Sequence, residues 1–243
     1  MPEESKPIVC WPLGPGVEIA KQGPLGLYAL NKPSGIRSQP KEGGKDPQAL
    51  LTCSYSLKDE AYHIPPDKRG GKVWLLHRLD AGTSGVILVA DQESTAEEVK
   101  KAFAEHRVKK TYVALVFGWP KEKEAVWRDR IEVRKEGGRV RGKAGPGIWA
   151  EARMRVREKF RGKAGPMALL ELWPKTGRTH QLRIQCANRG LPIVGDRTYG
   201  DFRRNKGLKT EALFLHSESV ECPIGCGLFK SHILVPEYLK LLP

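Results

Sequence analysis

Apolar positions along this chain fall into short runs of strand length more often than into helical stripes. Residues 27–31 read as a strand that Lys32-Pro33-Ser34-Gly35 must end, because proline and glycine interrupt pairing and set up a turn. Residues 37–44 are polar loop. Asp46-Pro47 places a capping acid before a first-turn proline, so the pattern predicts a short helix over 47–57, followed by a loop over 64–71. Residues 73–76 and 85–90 are apolar, β-branched runs of buried-strand length on either side of the polar stretch 77–84. Ser94 and Glu97 have capping-box spacing, with Val99, Ala102, Phe103 and His106 at helical intervals, and this helix is expected to end near Arg107. Strands are predicted at 112–117, 125–133, 152–160 and 167–173, the last two as a hairpin, then a helix over 179–188 stopped by Gly190 and a strand over 212–220. This order implies an α+β fold with a mixed sheet.

Composition narrows the function classes. Lys and Arg number 42 against 28 acidic residues, a net charge of +14. No apolar run approaches the roughly 18 residues that a membrane span needs. The N-terminal hexapeptide Met1-Pro2-Glu3-Glu4-Ser5-Lys6 has neither a basic nor an apolar leader region, so cytoplasm is the expected location. Five cysteines, an odd number thinly spread, predict free thiols rather than a disulfide scaffold. The positive charge is local: residues 101–163 hold nineteen Lys and Arg against eight acids, whereas residues 1–80 hold eleven against nine. Such a stretch suits a polyanion, although a solvated face of strands and turns would have the same composition. Arg-Gly-Lys-Ala-Gly-Pro occurs at 141–146 and again at 161–166; both copies are expected to form basic loop tips. Cys222 and Cys226 have the spacing of half a metal site without a second ligand pair, so a turn is expected and no metal.

Two segments concentrate chemistry. His77-Arg78-Leu79-Asp80-Ala81-Gly82-Thr83-Ser84 sets a cation, an acid and two hydroxyls where one strand gives way to the next, a usual place for a site; Arg78 and Asp80 could equally form a surface ion pair. In Lys175-Thr176-Gly177-Arg178-Thr179-His180-Gln181-Leu182-Arg183, Gly177 opens a turn and Thr179 can cap. Arg178 there stands beside helix-start amides that favour an anion.

These segments resemble the RluA-type family of RNA pseudouridine synthases. The resemblance runs through Asn31-Lys32-Pro33-Ser34-Gly35, the His77-Arg78-Leu79-Asp80 segment with Thr83-Ser84-Gly85, and Lys110-Thr111-Tyr112-Val113-Ala114. It continues through Thr176 to Arg183, Gly195-Asp196-Arg197-Thr198-Tyr199-Gly200 and Leu215-His216, covering about residues 27–240. His77 directly before Arg78 points to this branch over the related small-subunit rRNA branch. What the resemblance implies is a mixed, largely antiparallel central sheet flanked by helices and loops, and isomerisation of uridine in rRNA or tRNA by base flipping, without a cofactor. Asp80 would be the catalytic acid, Tyr112 the aromatic beside the base, with a hydroxyl that helps remove the C5 proton, and Arg183 the ion-pair partner of Asp80. Arg78 would fill the gap left by the flipped base, and His77, Thr83, Arg178, Thr179 and His180 would bind substrate. The implied organisation is an extension over 1–26 and one catalytic domain over 27–243, with no S4 module, no protein partner and a monomer by default. RNA selection would fall first to residues 121–166. A catalytically silent RNA-binding or RNA-folding factor is the other reading. Two departures, Ala81-Gly82 after the aspartate and Ala150-Glu151-Ala152 where relatives often place a threonine, bear on substrate choice rather than on the three catalytic positions.

Overall fold

The computed structural model describes residues 9–136, 139–209 and 212–232; the N-terminal hexapeptide and the expected domain end at 243 lie outside them. The described residues form a 13-stranded sheet. Its first half holds β1 (Glu18–Gln22), β2 (Leu27–Lys32), β3 (Ser54–Ser56), β4 (Ala61–His63), β5 (Lys72–Leu75) and β6 (Ser84–Ala90). After helix α1 (Glu93–Ala104) come β7 (Lys109–Phe117), β8 (Glu124–Glu136), β9 (Arg139–Ala144), β10 (Ile148–Gly162) and β11 (Gly165–Pro174). Helices α2 (Gln181–Asn188) and α3 (Phe202–Leu208) precede β12 (Leu215–Ile224) and β13 (Gly227–His232). The order along the sheet is β3-β4-β5-β6-β12-β7-β11-β10-β8-β9, with β2 on β6, β1 on β2 and β13 on β12. All these pairs are antiparallel except β6 with β12, so the sheet is mixed and largely antiparallel, as expected.

Side-chain pattern explains the positions. β6 is buried at every residue, which is why it reads as one continuous apolar run and pairs on both edges. On β10, Ala150, Ala152 and Met154 point inward while Arg153 and Arg155 are exposed, the alternation of a strand with one wet face. α1 lays Ala96, Val99 and Ala102 against Val86, Leu88 and Val220, and α2 packs Ile184 against Ile131 and Ala150.

Four local expectations are corrected. No helix forms over 47–57: Asp46 binds Arg37 with both oxygens (2.5 and 2.6 Å), Ala49, Leu50 and Leu51 are fully buried, and bridges to Arg37 and Leu13 lead into β3. Burial of Ala49, Leu50 and Leu51 overrode the local capping signal. α1 starts one residue before Ser94, and its N-cap, Gln92, makes no side-chain cap, so the capping box is absent. Thr179 is exposed and outside α2, whose N-cap is His180. The first Arg-Gly-Lys-Ala-Gly-Pro copy begins inside β9 rather than at a tip, whereas the second forms the β10–β11 turn.

Candidate active site

Asp80 sits in the loop between β5 and β6, and the loop that follows β2 holds it from behind. The Ser38 hydroxyl donates to the Leu79 carbonyl (2.8 Å) and accepts the Leu79 amide (3.0 Å). The Gly35 amide donates to the Ala81 carbonyl (2.8 Å), the Ser34 hydroxyl to that of Gly82 (2.8 Å), and Lys32 Nζ to Ala81 (3.1 Å). The Thr83 amide closes the turn onto the Asp80 carbonyl (3.0 Å), and the Thr83 side chain is buried. Leu79, Ala81, Gly82 and Thr83 are therefore each held through their backbone, which leaves the Asp80 carboxylate, about a quarter exposed, to face the site.

Lys32 has no accessible surface, yet its ammonium donates to three carbonyls, those of Ile36 (2.6 Å), Pro33 (3.0 Å) and Ala81. Burial pulls its pKa down to about 7, and the nearby charge of Asp80 acts against that fall.

The opposite wall comes from α2. Arg183 Nη1 donates to Asp80 Oδ2 at 2.9 Å, while Nε and Nη2 grip Asp196 in a fork at 2.7 and 2.8 Å. Burial works against the guanidinium, but Asp196 and then Asp80 more than compensate and hold it charged above the ordinary arginine range. Asp196 is itself buried; Arg183 and the amides of Thr198 (2.8 Å) and Tyr199 (3.0 Å) keep its carboxyl below the usual range despite burial. His180, in the left-handed region (φ 55°), shares a hydrogen bond between Nδ1 and the Tyr199 hydroxyl (2.9 Å) and brings Nε2 to 3.8 Å from Asp80 Oδ1. Burial lowers its pKa, so the ring is neutral at pH 7.

Tyr112, on β7, is buried opposite Ser217 of β12. Burial pushes its hydroxyl up to about 12, the charge of Asp80 adds to the rise, and Ser217 opposes it.

The other expected residues lie further out. His77 Nε2 accepts the Leu88 amide (3.0 Å), its ring rests 4.9 Å from that of Phe103, and burial, helped by Lys110, depresses its pKa to about 3. Arg78 is exposed, with no hydrogen bond or ion pair to any described residue, and lines a cleft with Gln39, Tyr55 and His77. Arg178 is exposed and donates from Nε to the Trp149 carbonyl (3.1 Å); its amide is taken by the Gln181 side chain (3.0 Å), so this amide is not open to an anion. Asp80, Arg183, His180 and Tyr112 thus converge, whereas His77, Thr83, Arg78, Arg178 and Thr179 form the frame and rim. Lys32, Asp196 and Tyr199 were given no role from sequence, although each stands in a motif quoted there.

Comparison with known proteins shows what the chain as a whole is similar to. A family model described as RNA pseudouridylate synthase matches residues 26–188. A ribosomal large subunit pseudouridine synthase D of Borreliella burgdorferi is 35% identical over 214 residues, 85% of this chain and 61% of that protein's length. A tRNA pseudouridine synthase C of Vibrio parahaemolyticus is 35% identical over 209 residues, 80% of each chain. The solved structure of Human RNA Pseudouridylate Synthase Domain Containing 1 superposes with a TM-score of 0.72 at 25% identity, over 92% of this chain and 86% of that one.

Proposed function

This chain belongs to the RNA pseudouridylate synthase family, and on that footing we propose that it isomerises uridines of rRNA or tRNA to pseudouridine in the cytoplasm, using one catalytic domain over residues 27–243. The observation that carries the reading is the Arg183–Asp80 contact of 2.9 Å, between residues of two distant segments, with the Tyr112 phenol close enough to feel the charge of Asp80. A guanidinium on one carboxylate oxygen favours the ionised acid, and an ionised acid is what either route needs. In one route Asp80 adds to C1′ as the C1′–N1 bond breaks and its electrons pass to the uracil ring. In the other, Asp80 takes the C2′ proton as the same bond breaks. The freed uracil turns and C5 bonds to C1′, displacing the Asp80 carboxylate in the first route or with Asp80 returning its proton to C2′ in the second; C5 then yields its proton and N1 takes one up.

The high pKa of Tyr112 keeps the phenol protonated at neutral pH, so its ring packs on uracil and its hydroxyl passes a proton rather than acting as a phenolate base. Target uridines must leave the stack for C1′ and C5 to be reached. Arg78, exposed at the rim, is suited to stack in the gap and to touch phosphate, and Arg178 and Thr179 to contact the backbone. His77 and Thr83, already engaged with the protein, orient the Asp80 loop.

The test is release of tritium from RNA labelled at uracil C5. Wild type should release label and Asp80→Asn should release none above background. An active Asp80→Asn would end this mechanism, and free uracil as product would mean a hydrolase instead.

A further inference from the structure

Of the six arginines of the expected RNA arm whose side chains are described, four are already paired with acids within the protein. Arg153 binds Glu124 (2.7 Å), Arg155 binds Glu171 (2.5 Å), Arg157 binds Glu218 (2.5 Å) and Arg128 binds Glu151 (3.0 Å). Unpaired cations collect at the far end of this arm, on the second Arg-Gly-Lys-Ala-Gly-Pro copy, and on the helix joined to it. α3 and this turn contain no acid, and the Asp201 carboxylate caps α3 by accepting the Arg204 amide (3.0 Å). The Arg204 guanidinium donates to the carbonyls of Ala164 (2.7 Å) and Pro166 (2.7 Å) and lies 4.2 Å over the Phe117 ring, which locks α3 to the turn. Asn205 faces the opposite way: it accepts the Gly195 amide (2.8 Å) and donates to the Asp196 carbonyl (3.3 Å), behind the carboxylate that grips Arg183.

With Arg204 and Asn205 turned inward, the outer face of α3 presents Phe202, Arg203 and Lys206. Phe202 is 80% exposed, and neither Arg203, Lys206 nor Lys163 of the turn makes an ion pair with any described residue. A rigid, exposed aromatic among unpaired cations is the arrangement that holds single-stranded nucleic acid, the ring stacking on a base while the cations follow the phosphates.

We propose that α3 and the β10–β11 turn form a docking surface for an RNA strand flanking the target uridine, with Phe202 stacked on one base and Arg203, Lys206 and Lys163 on phosphates. This rests on RNA being the substrate but not on Asp80 chemistry. The absence of acids selects RNA over a second copy of this basic chain, which would be repelled at this face.

The test measures binding of the full-length protein to a fluorescein-labelled oligouridylate by anisotropy across a salt series. Phe202→Ala should weaken binding about tenfold, the effect of one lost base–aromatic stack, and Phe202→Trp should keep it. Arg203→Ala/Lys206→Ala should reduce the steepness of log K against log salt by about 0.7 for each phosphate contact removed, whereas Arg155→Ala should change it less. In turnover, Phe202→Ala should raise KM with kcat preserved, and its unchanged melting curve would show that the fold is intact. Wild-type affinity in Phe202→Ala overturns the proposal. So does sedimentation showing a wild-type dimer that Phe202→Ala makes monomeric, because the ring would then serve self-association. A wild type that binds through Phe202 yet converts no uridine would refute the activity and leave the surface standing.

Discussion

Asp80 is only the visible end of a chain of charges that runs inward through Arg183 to Asp196. The inner carboxylate, with an exposure of 1% at its side chain, holds the guanidinium by two of its nitrogens and leaves the third for Asp80. Removing one partner of a buried pair leaves the other uncompensated, which costs about 3–5 kcal/mol. Asp196→Asn should therefore lower the unfolding free energy measured by urea titration by an amount of that order and depress kcat more than it raises KM, since Arg183 would no longer present Nη1 in one place. Unchanged kcat in a folded Asp196→Asn would show that Arg183 needs no inner anchor. None of this is visible in the local sequence. In Gly195-Asp196-Arg197-Thr198 an aspartate after glycine reads as a turn residue, and its charge partner lies thirteen positions away on another element. Lys32 escaped notice for the same reason, because two of its three acceptors are neighbours in the chain and the third comes from the loop of Asp80. Asp80, Tyr112 and Arg183 were legible because the motifs containing them resemble those of known synthases.

Among the elements, the short parallel seam of β6 and β12 leaves no room for a side chain at Gly85. Gly85 lies at φ 107° against the backbone of Ser217, and a Cβ there would stand 2.1 Å from the Ser217 carbonyl oxygen. Gly85→Ala should cost about 2 kcal/mol or more from backbone strain and clash, and should reduce turnover by moving Asp80 away from Tyr112. Gly207→Ala, in α3 where a methyl group meets nothing within 4 Å, should be neutral or raise the midpoint slightly. Equal stability of Gly85→Ala and wild type would mean that the seam can open without consequence. Element types followed from the apolar pattern wherever it was regular, as in β6, β10 and β11. The pattern misled at 47–57, where a capping acid and a proline precede Ala49, Leu50 and Leu51, which are fully buried, and at the start of α2, where His180 is an N-cap without a side-chain cap and the Gln181 side chain accepts the Arg178 amide.

On the scale of the whole molecule, the titration of buried phenols should set the alkaline limit of stability. Burial pushes Tyr28, Tyr55 and Tyr112 up to about 12, and Tyr62 higher still. In the unfolded chain a tyrosine ionises near pH ~10, so above that value the unfolded state releases protons that the folded state retains. The stability these phenols contribute is whole below pH ~10 and is lost as pH climbs through about 12. Thermal midpoints should fall steeply over that window, with these four of the six tyrosines adding tyrosinate absorbance only as the protein melts; ionisation of all six at pH ~10 in the still-folded protein would contradict the burial.

Asp80 and Arg183 stand 103 positions apart, on opposite sides of the β6–β12 seam, whose second strand is among the last described elements of the chain. A nascent polypeptide that has emerged only as far as β11 carries the acid and the phenol but neither the arginine nor the strand that aligns them. On the proposed mechanism such a fragment has no guanidinium to hold its carboxylate ionised, and the pair is completed only once α2 has been made.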